Sequence, residues 1–190
     1  MKNKLLMLTF AVSCAFAGNA MAMTKAEYKA QKSQISADYK AGRDKCKALK
    51  ANAKDICVSE AKGAEKVAKA ELEAQYKPSP RNDQKVAVAK GDAAYDTAKE
   101  KCDDLKGNEK DVCVKDAKAA HVKAKEDAKV TKATADAGGA KTPKVADVKK
   151  EAGEDKREAE YKAAKERCDA LSGEPKDKCQ SDAKTKFGMK

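Results

Sequence analysis

The sequence has no tryptophan, one histidine and few large apolar residues, and these shortages exclude a thick hydrophobic core and the common metal sites. Aromatic residues make up 4% of the 190 residues, and only 17 of residues 23–190 are Leu, Ile, Val or Phe. A chain with so little to bury does not form a thick hydrophobic core and approaches the composition of disordered proteins. With His121 as the single histidine and no Cys-x2-Cys pair, the usual zinc sites and haem attachment motifs are absent.

Catalytic groups are also missing. Serines are few and His121 has no evident partner in the sequence, so no nucleophile and base can be assigned. The sequence has no glycine-rich phosphate-binding loop, because no glycine pair is followed by Gly-Lys-Ser or Gly-Lys-Thr. The cysteines lie eleven positions apart, whereas thiol oxidoreductases use Cys-x2-Cys. The sequence therefore predicts a protein that is not an enzyme and carries no cofactor or metal.

One cysteine motif occurs three times, at residues 46–57, 102–113 and 168–179. In each copy a leucine follows the first cysteine by three positions, and Lys-Asp precedes the second. Six cysteines permit 15 pairings, but only pairing within each copy explains the fixed spacing. In an oxidising compartment we therefore predict three disulfides rather than reactive thiols, namely Cys46–Cys57, Cys102–Cys113 and Cys168–Cys179.

Each motif is predicted to be the tip of an antiparallel helical hairpin. A tyrosine seven positions before the first cysteine and the leucine three positions after it fall on one helical face, which predicts a buried seam of Tyr39, Leu49, Tyr95, Leu105, Tyr161 and Leu171. Alanines at helical spacing follow the second cysteine and let two backbones approach closely enough for a disulfide. Gly107 and Gly173 are predicted to end the inbound helices, and Asn52 and Asn108 to cap the outbound ones.

The predicted fold is all-α, with three consecutive antiparallel helical hairpins, each closed by one disulfide and joined by Pro/Gly linkers. The hairpins are expected at residues 23–77, 81–136 and 144–190, with linkers at 78–80 and 137–143. The sequence leaves open whether the hairpins stack or remain separate. It also leaves the oligomeric state open.

Residues 1–22 read as a signal peptide, with Lys2 and Lys4, an apolar run and a cleavage site between Ala22 and Met23. The run is too short to cross a membrane. An alternative is a lipoprotein acylated at Cys14. The mature protein is therefore expected in the periplasm, with 40 basic against 31 acidic residues, a net charge of +9.

The alanine-, lysine- and glutamate-rich segment 61–74 resembles the helical spacer of TolA-type cell-envelope proteins. That family also has a membrane anchor and a globular C-terminal domain, and neither is visible here. The repeated pattern Tyr-x6-Cys-Asp-x-Leu-x-Gly-x2-Lys-Asp-x-Cys is similar to small periplasmic repeat proteins of Gram-negative bacteria. This resemblance implies a location and an architecture, and no activity.

These features predict a cell-envelope protein that acts as a structural or interaction scaffold. Two alternatives remain: a stress- or redox-responsive chaperone-like binding protein, and a basic module that binds polyanions. The expected partners are envelope proteins or anionic envelope polymers. Nucleic acid fits poorly, because the tyrosines that could stack on bases are expected in the seam.

Overall fold

The computed structural model describes residues 23–189, which form six α-helices and no strand. The signal peptide, its cleavage residue Ala22 and the alternative lipid site Cys14 lie outside this range and stay predictions. The helices are α1 Lys25–Cys46, α2 Ala51–Tyr76, α3 Pro80–Cys102, α4 Gly107–Asp136, α5 Pro143–Cys168 and α6 Glu174–Phe187. Within the described residues, no helix is long and apolar enough to cross a bilayer.

Helix boundaries follow side-chain capping chemistry at the inbound helices. Thr24 caps α1 in a capping box with Glu27, whose backbone N–H donates to the threonine hydroxyl at 3.2 Å. Ser79 and Thr142 cap α3 and α5 without a capping box, since each hydroxyl only accepts from the backbone N–H three residues on, and each is followed by a proline in the first turn. All three inbound helices end at the first cysteine of their motif.

The six helices form an array one helix thick. In the part of the chain that is described, every packed pair of helices is consecutive in sequence, from α1 with α2 to α5 with α6. Disulfides join α1 to α2, α3 to α4 and α5 to α6. The predicted all-α fold of three disulfide-closed hairpins is thus confirmed. The hairpins also stack, because α2 packs extensively on α3 and α4 on α5.

The core between the helices consists of small side chains. The first cysteine of each hairpin is fully buried, and the other buried apolar residues are mostly alanines, with Leu72 and Val145. A Cβ added at Gly63 would lie 2.8 Å from the Cβ of Ala93, and one at Gly91 would lie 2.9 Å from that of Ala124. The backbones are therefore too close for any larger residue at these two glycines.

The prediction that the motif leucines belong to the buried seam is wrong. Leu49, Leu105 and Leu171 are 41%, 37% and 43% exposed. Each inbound helix ends at the cysteine, and the leucine N–H then bonds to the cysteine carbonyl in a tight turn at 3.0 to 3.1 Å. Helical periodicity does not continue past that point, so the leucine no longer shares a face with the cysteine.

The predicted asparagine caps are also wrong. Lys50 and Lys106 occupy the N-cap positions of α2 and α4, and neither makes a side-chain cap hydrogen bond. The residue after each cap has positive φ: 48° at Ala51 and 54° at Gly107. Ala51 thus has the left-handed backbone conformation that normally favours glycine, as Gly107 does at the equivalent position. The asparagine side chains instead bond to the next hairpin.

Candidate functional site

The three hairpin tips have nearly the same disulfide geometry. The Cα atoms of Cys46 and Cys57 are 5.6 Å apart, those of the second pair 5.6 Å and those of the third 5.7 Å. These separations lie in the usual range for disulfides. The first cysteine of each pair is 0% exposed. The second cysteine of each pair is half-buried, so a thiol has access to at most one sulfur of each disulfide, which favours a structural role.

An ion pair crosses the tip of the second and third hairpins. Lys110 lies 2.8 Å from Asp103, and Lys176 lies 2.8 Å from Asp169. The hydrogen bond that Lys110 donates to Asp103 raises the pKa of Lys110, and the one that Lys176 donates to Asp169 lowers the pKa of Asp169. The lysine of the repeated Lys-Asp therefore holds the turn closed. The first hairpin has Lys47 at the aspartate position, so it lacks this pair.

The asparagines that follow the first two tips connect successive hairpins. Asn52 Nδ2 donates to the backbone oxygen of Glu100 at 2.6 Å, and Asn108 Nδ2 donates to that of Glu166 at 3.0 Å. Counted from the first cysteine of its own hairpin, each asparagine is at position +6 and each accepting carbonyl at position −2. The two hydrogen bonds are therefore equivalent, and they hold neighbouring tips in register.

Two ion pairs repeat in the same interfaces. With each residue counted from the first cysteine of its own hairpin, the base at position −1 pairs with the acid at position +14 of the preceding hairpin. These pairs are Lys101 with Glu60 and Arg167 with Asp116. Position −12 pairs with an acid at +25, as Lys90 with Glu71 and Lys156 with Asp127. The hydrogen bond from Lys156 lowers the pKa of Asp127, as does that from Lys123. The inter-hairpin interface is thus built twice from residues at the same positions.

A polar cluster spans three helices in the middle of the array. Asp92 on α3 accepts from Lys66 of α2 at 2.5 Å and contacts Nε2 of His121 of α4 at 2.6 Å. The His121 ring stacks on Tyr95, with centroids 4.6 Å apart. Burial raises the pKa of Asp92, but the hydrogen bonds from Lys66 and His121 outweigh it and hold that pKa below its ordinary value.

His121 therefore has a partner that the sequence did not reveal. Its Nδ1 is buried without a hydrogen-bond partner, as is Oε2 of Glu126. Among the described residues, no group of three His, Cys, Asp or Glu side chains could hold a metal. With Asp92 on Nε2 and Tyr95 stacked on its ring, the imidazole joins α4 to α3.

The structure brings together some of the predicted residues and separates others. The six cysteines meet as predicted, whereas the three leucines lie apart at the tips. The tyrosines are half-buried: Tyr95 stacks on His121, and Tyr39 lies 5.7 Å from the guanidinium carbon of Arg43. Tyr161 has the same degree of burial. The residues that sequence reasoning missed are the inter-hairpin asparagines and charges, although their recurrence at fixed positions was visible in the sequence.

Comparison with known proteins assigns no family to the chain. No protein-family model, curated protein or solved structure matches it. The features that bear on function are therefore the geometry of the helices and their surfaces.

Proposed function

We propose that this chain is a non-enzymatic scaffold of the bacterial cell envelope, exported to the periplasm. The observation that carries the proposal is the repeated inter-hairpin interface, which joins three hairpins into one continuous array. An array one helix thick exposes much of its surface for its size. Such a shape suits contact with other macromolecules better than enclosure of a small ligand.

The compartment agrees with this role. Three disulfides point to an oxidising location outside the cytosol. A core made mostly of alanine supplies little hydrophobic stabilisation, so each disulfide, worth about 3 kcal/mol for a loop of this size, is a large part of the stability. The periplasm is the oxidising compartment that the signal-like residues 1–22 favour.

A photo-crosslinking experiment tests the scaffold role. A photoreactive amino acid would replace Ala37, Ala120 or Ala146, which are exposed on α1, α4 and α5. We expect discrete adducts with envelope components from the oxidised protein, identified by mass spectrometry. The variant Cys102→Ser/Cys113→Ser should lose adducts that require the intact array. An absence of specific adducts at all three positions would contradict the proposal.

The redox-responsive alternative is tested by the stability of the disulfides. The buried first cysteine of each pair favours slow reduction. We expect all three disulfides to survive a thiol buffer poised near the periplasmic potential, as measured by alkylation and mass spectrometry. Ready reduction of any of them would instead favour a binding protein that opens a hairpin on reduction.

A further inference from the structure

The first helix occupies the place in its hairpin that α3 and α5 occupy in theirs. The outer side of α3 is covered by α2, and the outer side of α5 is covered by α4. Within residues 23–189, no helix precedes α1, and α1 packs only on α2. One side of α1 is therefore the equivalent of a surface that is covered by a helix in the other two hairpins.

The equivalent positions show this directly. On α3 and α5, five positions from −5 to −20 are buried or half-buried; they are Asn82, Val86, Ala89, Ala93 and Thr97 on α3, and Val148, Ala152, Asp155, Ala159 and Ala163 on α5. On α1 the same positions are all exposed and all small: Ala26, Ala30, Ser33, Ala37 and Ala41. We call these five residues the α1 outer face. It has the residue sizes of a closely packed helix contact but no helix on it.

The charge around this face indicates what would cover it. In the internal interfaces, acids on the preceding helix meet bases at positions −1 and −12 of the next one. In the first hairpin, position −1 is Lys45 and position −12 is Gln34, and the bases beside the α1 outer face are Lys29 and Lys40, each one position from one of its members. Residues 25–50 contain eight basic and three acidic side chains, a net +5 of the +9 carried by residues 23–190.

A second copy of this chain would fit the α1 outer face poorly. The helix equivalent to α2 and α4 at the other end of the array is α6, which has 14 residues where α2 has 26 and α4 has 30. Its position +6 is Glu174 in place of asparagine, and it ends before position +25. Its acid at +14, Asp182, is paired with Lys178 on the same helix. Two α1 faces would repel each other.

We infer that the α1 outer face binds an acidic, alanine-rich helix of another protein, in the way that α2 binds α3 and α4 binds α5. This inference rests on the proposed scaffold function and names the chemistry of one partner. The partner's small residues pack on Ala37 and its neighbours, and its carboxylates face Lys29 and Lys40. The contact extends the helix array by one helix.

The test measures binding of a defined probe to the oxidised protein. The probe is a fluorescent alanine-rich helical peptide of about 24 residues, long enough to match the internal contacts, with glutamates three and four positions apart. Its counterpart has glutamine at each glutamate. By fluorescence anisotropy we expect the acidic peptide to bind at least about tenfold more tightly than the glutamine peptide.

Four variants separate docking on this face from general attraction. Lys29→Glu/Lys40→Glu and Ala37→Gln/Ala41→Gln should each weaken binding about tenfold or more. The matched controls Lys149→Glu/Lys150→Glu and Ala64→Gln/Ala146→Gln change exposed residues elsewhere and should stay within about twofold. Circular dichroism should show the same helix content in all four.

Three results would overturn the inference. An equal loss in the lysine controls would show diffuse attraction of a polyanion, and an unchanged affinity in Ala37→Gln/Ala41→Gln would show that the peptide does not pack on the face. A dimer in sedimentation velocity that Ala37→Gln/Ala41→Gln abolishes would assign the face to a second copy. The scaffold function would survive any of these if photo-crosslinks at Ala120 or Ala146 persisted, and it would fail if crosslinks were absent at all sites.

Discussion

At the scale of single residues, backbone conformation and close approach limit which side chains the array accepts. Ala51 has φ 48°, whereas glycine occupies the equivalent places in the other hairpins, Gly107 and Gly173. Gly63 and Gly91 lie where two helices nearly touch. Gly153, in contrast, has only the guanidinium of Arg157 nearby, at 3.6 Å from an added Cβ. Ala51→Gly is therefore predicted to stabilise the protein, and Gly63→Ala is predicted to destabilise it.

Ala51→Gly should stabilise the protein. The left-handed conformation costs a non-glycine residue about 1 kcal/mol, and glycine removes that cost. We expect the free energy of unfolding to rise by about 0.5 to 1 kcal/mol in urea denaturation. The control Ala64→Gly changes an exposed position inside α2 and should lower it by about 1 kcal/mol. Destabilisation by Ala51→Gly would contradict the positive φ at this turn.

Gly63→Ala should destabilise the protein, although alanine is the better helix former. Its Cβ would meet that of Ala93 at 2.8 Å, and neither atom can move without shifting a helix. We expect a loss of about 1 to 3 kcal/mol in thermal or urea unfolding. Gly153→Ala has room and should gain about 0.5 to 1 kcal/mol. A gain of stability in both variants would show that α2 and α3 do not approach this closely.

At the scale of the helices, pairs of elements are joined by a few polar contacts that recur. The same three positions on each outbound helix reach the next inbound helix, twice in the chain. Exposed ion pairs of this kind contribute little individually. The amide hydrogen bonds to backbone oxygen are part-buried and contribute more.

Asn52→Ala and Asn108→Ala should each weaken one junction between hairpins. Each removes a side-chain donor to a backbone oxygen in the next hairpin, which costs about 1 kcal/mol. The control Glu174→Ala is at the equivalent position of the third hairpin, where no further hairpin follows among the described residues, and should change stability by less than about 0.5 kcal/mol. Equal effects at all three positions would mean that the asparagines act only within their own helix.

Acid should destabilise the central polar cluster through Asp92. Its folded-state pKa lies below the ordinary value, so the unfolded chain binds more protons and stability falls as pH decreases from about 4 through the folded pKa. In Asp92→Asn this part of the pH dependence should disappear. The measurement is urea denaturation at a series of pH values between about 2 and 6. A variant curve parallel to that of the unchanged protein would contradict the cluster.

At the scale of the whole molecule, the array behaves as a one-dimensional stack in which each helix depends on its chain neighbours. The internal helices have two packed neighbours each. The last helix, α6, packs only on α5 and has 14 residues. The loss of local protection on removal of a disulfide should therefore differ with its place in the stack.

Cys168→Ser/Cys179→Ser should release α6 first. With only α5 and no disulfide to hold it, the segment 174–187 should lose most of its protection in hydrogen exchange. The Cys102–Cys113 disulfide joins α3 and α4, which also pack on α2 and α5. In Cys102→Ser/Cys113→Ser, residues 80–136 should therefore retain more protection. Global stability should fall by about 3 kcal/mol per disulfide. Equal loss of protection in both variants would contradict the nearest-neighbour description.

The sequence alone determined the helices, the pairing of the cysteines and the three hairpins. These depend on alanine content, capping residues and a loop of eleven positions, all of which act between residues close in the chain. The exposure of the motif leucines follows from the local turn after each first cysteine. The tertiary structure decided that the hairpins stack and that Asn52 and Asn108 bind the next hairpin. Those contacts join residues 48 and 58 positions apart, and helical periodicity within one segment carries no information about its neighbour across such a distance.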